Sequence, residues 1–338
     1  MAIQKITIGN FTVFDKIEID FCNGVNVFIG ENGTGKTHLL KLLYQASELK
    51  STSYLHSLTS LFGRNFIVGD CELLTTVSGE ADWTPLSMCF YSRINKDDGS
   101  SSQINYVDTK KATISIDIDT IKPTIFIPAK EVLSMANITR VSDEYKASLD
   151  LDVTLTEIIK KAINLVPDNP PTLAIDLLQN LEGTIGGTVD FDEKTQSFWV
   201  LRSDGSRISF NSEAEGYRKL GLLWQLIMNK SITNNCILFW DEPEANLNPN
   251  LIPIVVDILL ELARNGVQIF LATHDYVFAK YFEVRRKNGD AVLFHSLFKS
   301  NDGVKSETNQ DFRYLNQNPI IEAFDALMDE VLGRNMGD

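Results

Sequence analysis

The 338-residue chain reads as an α/β fold with a mixed central sheet whose first strand-to-helix crossover carries a phosphate-binding loop. Three observations predict this. Gly30-Glu31-Asn32-Gly33-Thr34-Gly35-Lys36-Thr37 fits G-x-x-x-x-G-K-[ST], with a strand-like apolar run before it (25–29) and a helical pattern after it (38–44). The apolar run 236–240 ends in Asp241-Glu242 and reads as a strand buried on both faces, as parallel strands are. A second buried run, 267–272, ends in Thr273-His274-Asp275. In open α/β sheets the carboxyl ends of such strands line the ligand site.

Each residue type in the loop suits a phosphate cradle. Gly30, Gly33 and Gly35 permit torsions and close approaches that a Cβ forbids, so successive N–H groups can converge on phosphate oxygens. The helix opening there adds the positive end of its dipole. Lys36 is expected to reach the β- and γ-phosphates, and the Thr37 hydroxyl to coordinate Mg²⁺. Glu31, Asn32, Thr34 and His38 complete the expected nucleotide-contacting set.

The acid pair supplies the other half of the chemistry. Asp241 is expected to hold Mg²⁺, directly or through water, and Glu242 to orient or deprotonate the attacking water. His274, at the tip of the neighbouring strand, is placed to donate a hydrogen bond to a γ-phosphate or to that water. Together with Lys36, these form the candidate catalytic set.

Composition bounds the rest. Hydrophobic residues at 43% and charged residues at 22% are those of a soluble globular protein. No apolar run approaches ~20 residues and the N-terminus has no basic-then-apolar leader, so a cytoplasmic protein without membrane contact is expected. Cys22, Cys71, Cys89 and Cys236 are scattered and suit neither a zinc site nor a disulfide framework. The net charge of −14 argues against a surface built wholly for nucleic acid, leaving Lys160-Lys161 and Arg285-Arg286-Lys287 as local basic patches.

Along the chain, alternation over 3–21 predicts an antiparallel strand pair, in which Phe11 or Phe14 either stacks on adenine or packs in the core. Helix is expected over 36–62, and strands over 66–119 with polar turns at 95–102 and 108–111. A short buried strand follows at 124–127, then helix after Pro128-Ala129-Lys130-Glu131. Residues 149–181 read as mainly helical, broken at Pro167 and at 169–171, and are followed by two strands at 188–191 and 197–201. At the end, Asn318 and Pro319 suit a helix N-cap and first position. The stripe Ile320, Ile321, Phe324, Leu327, Met328, Val331 and Leu332 then packs on the chain's own domain or docks a partner.

The order of phosphate loop, helical insert, Glu215-Gly216, Asp241-Glu242 and His274 resembles an ABC-type ATPase. Asn10-Phe11, the phosphate loop, Ala214-Glu215-Gly216-Tyr217-Arg218-Lys219-Leu220 and Phe239-Trp240-Asp241-Glu242-Pro243-Glu244-Ala245-Asn246-Leu247 are more closely similar to stand-alone prokaryotic AAA-type ATPases with the ABC layout. That group is akin to SMC and RecF heads, OLD-family nucleases and Septu-type defence ATPases. The resemblance implies a P-loop NTPase of ABC-ATPase type, with an antiparallel β subdomain and a helical signature subdomain. It implies one head over 1–338, with a nucleotide-binding lobe at 1–130 and 232–300, a helical signature lobe at 131–231, and a C-terminal docking segment at 301–338.

It further implies ATP and Mg²⁺ as ligands, and a head-to-head homodimer or higher even oligomer in which one subunit's signature meets the γ-phosphate held by the other. On this chain the signature set is Ser212, Ala214, Glu215, Gly216 and Arg218, with Ala214 where a serine commonly sits and Ser212 as its substitute. That departure implies slow turnover. Asn246 and Asn248 fall in the interface loop, Asn248 where relatives carry His, and Lys130 and Glu131 stand where the glutamine loop is expected. The long coiled coils of SMC proteins are absent, and only 64 residues follow His274, without an acidic metal triad for a Toprim nuclease. The implied function is an ATPase controlling a separately encoded effector, a nuclease or toxin, in antiphage defence. The rival readings are a RecF- or SMC-like DNA-binding ATPase in repair, a transporter's nucleotide-binding subunit, and a scaffold in which ATP only glues subunits together.

Overall fold

A computed structural model describes residues 3–47, 71–77, 80–86, 112–118, 122–140, 153–167 and 175–335. The chain opens with strands β1 (Ile3–Phe11) and β2 (Phe14–Asp20), paired antiparallel with Ile6 opposite Ile19 and Ile8 opposite Ile17. Their alternating apolar residues are buried and their polar ones face out, the period-2 pattern of a half-buried sheet. Strand β3 (Val25–Gly30) is buried throughout and feeds helix α1 (Lys36–Ser47). Strands β4 (Cys71–Val77), β5 (Glu80–Leu86) and β6 (Ala112–Ile118) complete a five-stranded sheet of order β2-β1-β6-β4-β5, in which only the β4–β6 pair is parallel.

Strand β7 (Thr124–Ile127) leads into a 3-10 helix at Leu133–Arg140, where an α-helix was expected. The cause is local: the Glu131 carboxylate accepts from the N–H groups of Leu133 and Ser134 and from the Ser134 hydroxyl, tightening the first turn. Helices α2 (Val153–Ala162) and α3 (Ile175–Ile185) follow, then the antiparallel strands β8 (Thr188–Asp192), β9 (Ser197–Leu201) and β10 (Arg207–Ser209). The last of these is too short to show a period and was not expected. Helix α4 (Glu215–Met228) returns the chain to the central sheet.

That sheet has six strands in the order β14-β13-β3-β12-β11-β7, formed with β11 (Ile237–Asp241), β12 (Gln268–Thr273), β13 (Val292–Ser300) and β14 (Gly303–Asn309). Every pairing is parallel except β13 with β14. Helices α5 (Ile252–Arg264), α6 (Tyr276–Arg285) and α7 (Pro319–Asn335) complete the fold. None of the helices among the described residues is long and apolar enough to cross a membrane.

The central strands divide their side chains between two cores. Phe28, Phe126, Phe239 and Phe270 point to one face and join α1 and the first sheet. Their rings form a near-parallel ladder across four strands, with centroids 6.5 Å (Phe28–Phe270), 5.1 Å (Phe239–Phe270) and 6.4 Å (Phe126–Phe239) apart. Val27, Ile29, Leu238, Trp240, Ile269 and Leu271 point the other way, to α4, α5 and α6. Ladder register and two-sided burial therefore fix one another, because a one-residue slip would exchange the two sets.

Several expected features fall outside the described residues: helix beyond Ser47 to residue 62, the turns at 95–102 and 108–111, and the break at 169–171. In α7 the stripe divides. Ile320 is buried and Phe324 stacks on Tyr276 at 4.0 Å, whereas Leu327, Met328, Val331 and Leu332 are exposed.

A tight backbone approach lies where β3 ends beside β13. A Cβ on Gly30 would come within 2.2 Å of the Leu297 carbonyl oxygen. Gly30→Ala is therefore expected to destabilise the protein by about 3 kcal/mol in urea unfolding, since either a central strand or the phosphate loop must move. A loss below about 0.5 kcal/mol would show that the approach is relaxed without strain.

Candidate nucleotide site

Strands β3, β12 and β11 are adjacent and parallel, with Ile29 beside Thr273 and Ala272 beside Asp241. Their carboxyl ends therefore lie on one edge, and the loop after Gly30, the Thr273-His274 tip and the Asp241-Glu242 pair come together although they are far apart in sequence. Gly33 (φ +81°) and Gly35 (φ +86°) sit in the left-handed region, where a Cβ is disfavoured. The Cβ position of Gly33 faces open space, while that of Gly35 would meet Val13 and Phe14 at 2.7 Å each. Phe14 thus supports the loop from behind, and it and Phe11 are both buried in the core; packing is their role here.

Lys36 is buried and its Nζ donates to the carbonyls of Gly30 (2.8 Å) and Glu31 (2.9 Å). Burial lowers its pKa, opposed by Glu242, Asp241, Glu244 and Glu31. Thr34 Oγ1 donates to the Glu31 carbonyl at 2.9 Å. Asn32 and Glu31 are exposed, with Glu31 Oε2 3.1 Å from Lys299 Nζ. His38 is partly buried, and burial pushes its pKa down to about 4, so a neutral imidazole follows the loop at pH 7.

Thr37 Oγ1 donates to Asp241 Oδ2 at 2.9 Å, while the other carboxylate oxygen, Oδ1, is buried without a hydrogen-bond partner among the described residues. Burial pushes the Asp241 pKa up to about 6, against the Thr37 hydrogen bond and with the help of the Glu242 charge. Glu242 adopts φ +46°, unusual for a residue with a Cβ, and its N–H donates to the Ala272 carbonyl at 2.9 Å. His274 Nδ1 lies 3.4 Å from Glu242 Oε1 and 4.0 Å from Glu244 Oε1, on a half-exposed ring. Glu244 is itself buried; its Oε1 accepts from Thr273 Oγ1 at 2.6 Å, and burial raises its pKa.

These residues fit the ligands that the motif implies. An open glycine cradle with a buried lysine suits phosphate. A hydroxyl and a carboxylate with an orphaned buried oxygen suit a hard divalent cation. Among the described residues no group of three or more His, Cys, Asp or Glu forms a metal cage.

The signature set runs from the 3-10 turn Phe210–Ser212 through the N-cap into the first turn of α4, which faces its own acid loop. Ala214 caps α4 without a side-chain hydrogen bond, so the first-turn N–H groups gain no acceptor from it. Ser212 is exposed in a short 3-10 turn. Glu215 Oε1 accepts from Asn246 Nδ2 at 2.9 Å, and a Cβ on Gly216 would stand 3.2 Å from Leu251 Cδ1 and 3.3 Å from Leu247 Cδ2. Arg218 Nε is 3.6 Å from Glu131 Oε2, so Glu131 serves the 3-10 turn and α4, while Lys130 is exposed. Asn248 Oδ1 accepts from Asn250 N at 3.0 Å, capping the next turn. Sequence reading assigned no role to Lys219, Glu244 or Thr273. The one available signal was Lys219, a cation on the otherwise apolar face that carries Leu220 and Leu223.

Two family profiles match the chain: "AAA ATPase domain" over residues 1–126, and "AAA domain, putative AbiEii toxin, Type IV TA system" over residues 123–279. Both profiles are of AAA domains and together they span residues 1–279, so the chain is similar to AAA-type ATPases along most of its length. Among curated proteins, the chain is 27% identical over 131 residues to the DNA replication and repair protein RecF of Listeria monocytogenes, covering 38% of this chain and 32% of that one. With RecF of Oceanobacillus iheyensis it shares 41% over 51 residues, 15% of this chain and 14% of that one. The matched stretch thus spans about a third or less of those relatives. Among solved structures it is similar to the SMC head domain from Thermotoga maritima, with TM-score 0.46 and 13% identity over 91% of this chain and 99% of that one. A nucleotide-free ATP-binding cassette from an ABC transporter gives 0.42 and 13%, over 96% and 99%.

The Asp241 environment has a measurable consequence in the protein without ligands. With its pKa raised from 3.8 to about 6, the folded state holds a proton there that the unfolded chain has lost, so this residue's contribution to stability falls as pH rises through that window. The cost above pH 6 is about 3 kcal/mol. Asp241→Asn is expected to be more stable than the natural protein by about 1–3 kcal/mol at pH 8 in urea unfolding, with the difference shrinking toward pH 4. A variant less stable at pH 8 would contradict this account of the carboxylate.

Proposed function

We propose that the protein is a Mg²⁺-dependent ATPase head that closes on a second copy around ATP and uses the open and closed states to control a separately encoded effector in antiphage defence. The observation that carries the catalytic part is the single cluster of Lys36, Thr37, Asp241, Glu242 and His274 on one sheet edge. When bound, Mg²⁺–ATP supplies the phosphoanhydride to be hydrolysed and neutralises charge on its phosphates. Lys36 and the loop N–H groups bind phosphate oxygens, and Thr37 and Asp241 hold the metal. Glu242 orients a water and accepts its proton, while His274 faces the same carboxylate and steadies it.

The uncapped N-terminus of α4 supports dimer closure. It offers backbone N–H groups and a positive dipole end that a γ-phosphate on the facing head can meet and a diphosphate cannot, so nucleotide state biases the equilibrium. The effector and defence assignments are supported by the AbiEii toxin description of one matched profile and by resemblance. On this reading the protein acts in the cytoplasm as an even oligomer of heads.

Glu242→Gln is expected to bind ATP as the natural protein does, to lose turnover by at least about 100-fold, and to elute as an ATP-dependent dimer. A monomer in the presence of ATP would contradict closure. Lys36→Ala is expected to weaken ATP binding by at least about 100-fold in calorimetry, and unchanged affinity would refute the phosphate-loop role.

The RecF similarity favours one second reading, a DNA-gripping ATPase. It requires duplex affinity that depends on both ATP and salt, and the net charge of −14 weighs against it. A mobility shift without either dependence would dismiss it.

A further inference from the structure

Lys219 is a buried cation (4% exposed) on α4. Its Nζ donates to the carbonyl oxygens of Ala245 at 2.6 Å and Glu242 at 3.2 Å. Those carbonyls belong to the bend after β11, where two residues with side chains, Glu242 (φ +46°) and Asn246 (φ +60°), hold left-handed backbone torsions. Such torsions persist only when the surroundings over-determine them. The bend has a few hydrogen bonds of its own, Ala245 N to Glu242 O at 3.1 Å and Leu247 N to Glu244 O at 3.0 Å. The ties from α4 do the rest: Lys219, the Asn246–Glu215 hydrogen bond at 2.9 Å, and Gly216 seated against Leu247 and Leu251.

We infer that Lys219 is a positioning residue for Glu242, fastening the bend that carries this carboxylate to the helix whose N-terminus meets the facing head. The inference rests on the functional reading of Glu242 and α4, whereas the fastening itself belongs to a single chain. An ammonium suits the task because it presents several donors to carbonyls that converge from one side. Burial lowers its pKa while Glu215, Glu244, Glu242 and Glu131 raise it, so the charge is surrounded by compensating carboxylates. In a closed pair, the α4 N-terminus touches the γ-phosphate on the facing head while the same rigid unit holds Glu242 at its own site. Contact at one nucleotide therefore sets the carboxylate that acts on the other, and the two sites hydrolyse cooperatively.

The test uses the full chain with Lys219→Met, which keeps length and removes the donors. In the nucleotide-free protein, amide hydrogen exchange over 242–247 is expected to accelerate by about tenfold or more, with the central strands unchanged. ATP affinity is expected to stay within about twofold, kcat to fall by about tenfold, and the Hill coefficient for ATP to approach 1, with Lys219→Arg recovering most of each. Should Lys219→Met not fold, Asn246→Ala cuts an exposed tie of the same unit and is expected to accelerate the same amides. Exchange at the natural rate in whichever of these variants folds, or kcat and cooperativity unchanged in Lys219→Met, would overturn the inference. If the natural protein proves not to turn over ATP, the functional reading fails, and the exchange measurement alone decides whether Lys219 fastens the bend.

Discussion

The hydrogen bond from Thr37 Oγ1 to Asp241 Oδ2 joins residues 204 positions apart, and the rest of the site depends on the constraint that makes it possible. That constraint is the parallel register of β3, β12 and β11, which brings three loop-forming ends to one edge. The register is held from both sides, by the phenylalanine ladder on one face and by the aliphatic and tryptophan set on the other. A shift of any one strand would misplace both a core residue and a ligand-binding one, so packing and chemistry impose the same geometry.

The site also concentrates unfavourable local features. Glu242 and Asn246 hold positive φ, Asp241 keeps a buried oxygen without a partner, and Lys36 is folded back onto its own loop carbonyls. The Asp241 oxygen and the Lys36 ammonium are the two groups that a metal and phosphates would engage, whereas the bend is held by its own neighbours. The surrounding core bears the cost, and the Lys219 ties hold the least favourable bend in place.

Much of this was legible in the sequence because it is written in local signals. The glycine spacing, the two unbroken apolar runs and their terminal acids identify both strand type and strand end, and the alternation over 3–21 gives the β1–β2 pair. What was not legible depends on partners far away in the chain. Lys219 interrupts an apolar helix face, but its task shows only when the carbonyls of Glu242 and Ala245 are brought beside it. Glu131 reads as a possible phosphate contact until Arg218 and the 3-10 turn claim it. The stripe on α7 reads as one continuous face, yet it is covered only as far as Phe324, which stacks on Tyr276, and the later residues are exposed.

The central claim is that the α4 N-terminus of one head meets the phosphate loop of another only when ATP is bound. Asn32 and Ser212 are exposed residues on those two surfaces, so cysteines placed at both positions in a Glu242→Gln background report the apposition directly. The account predicts a covalent dimer under mild oxidation with ATP and Mg²⁺, and none with ADP. A failure to form that dimer with ATP, or equal yield with ADP, would contradict it.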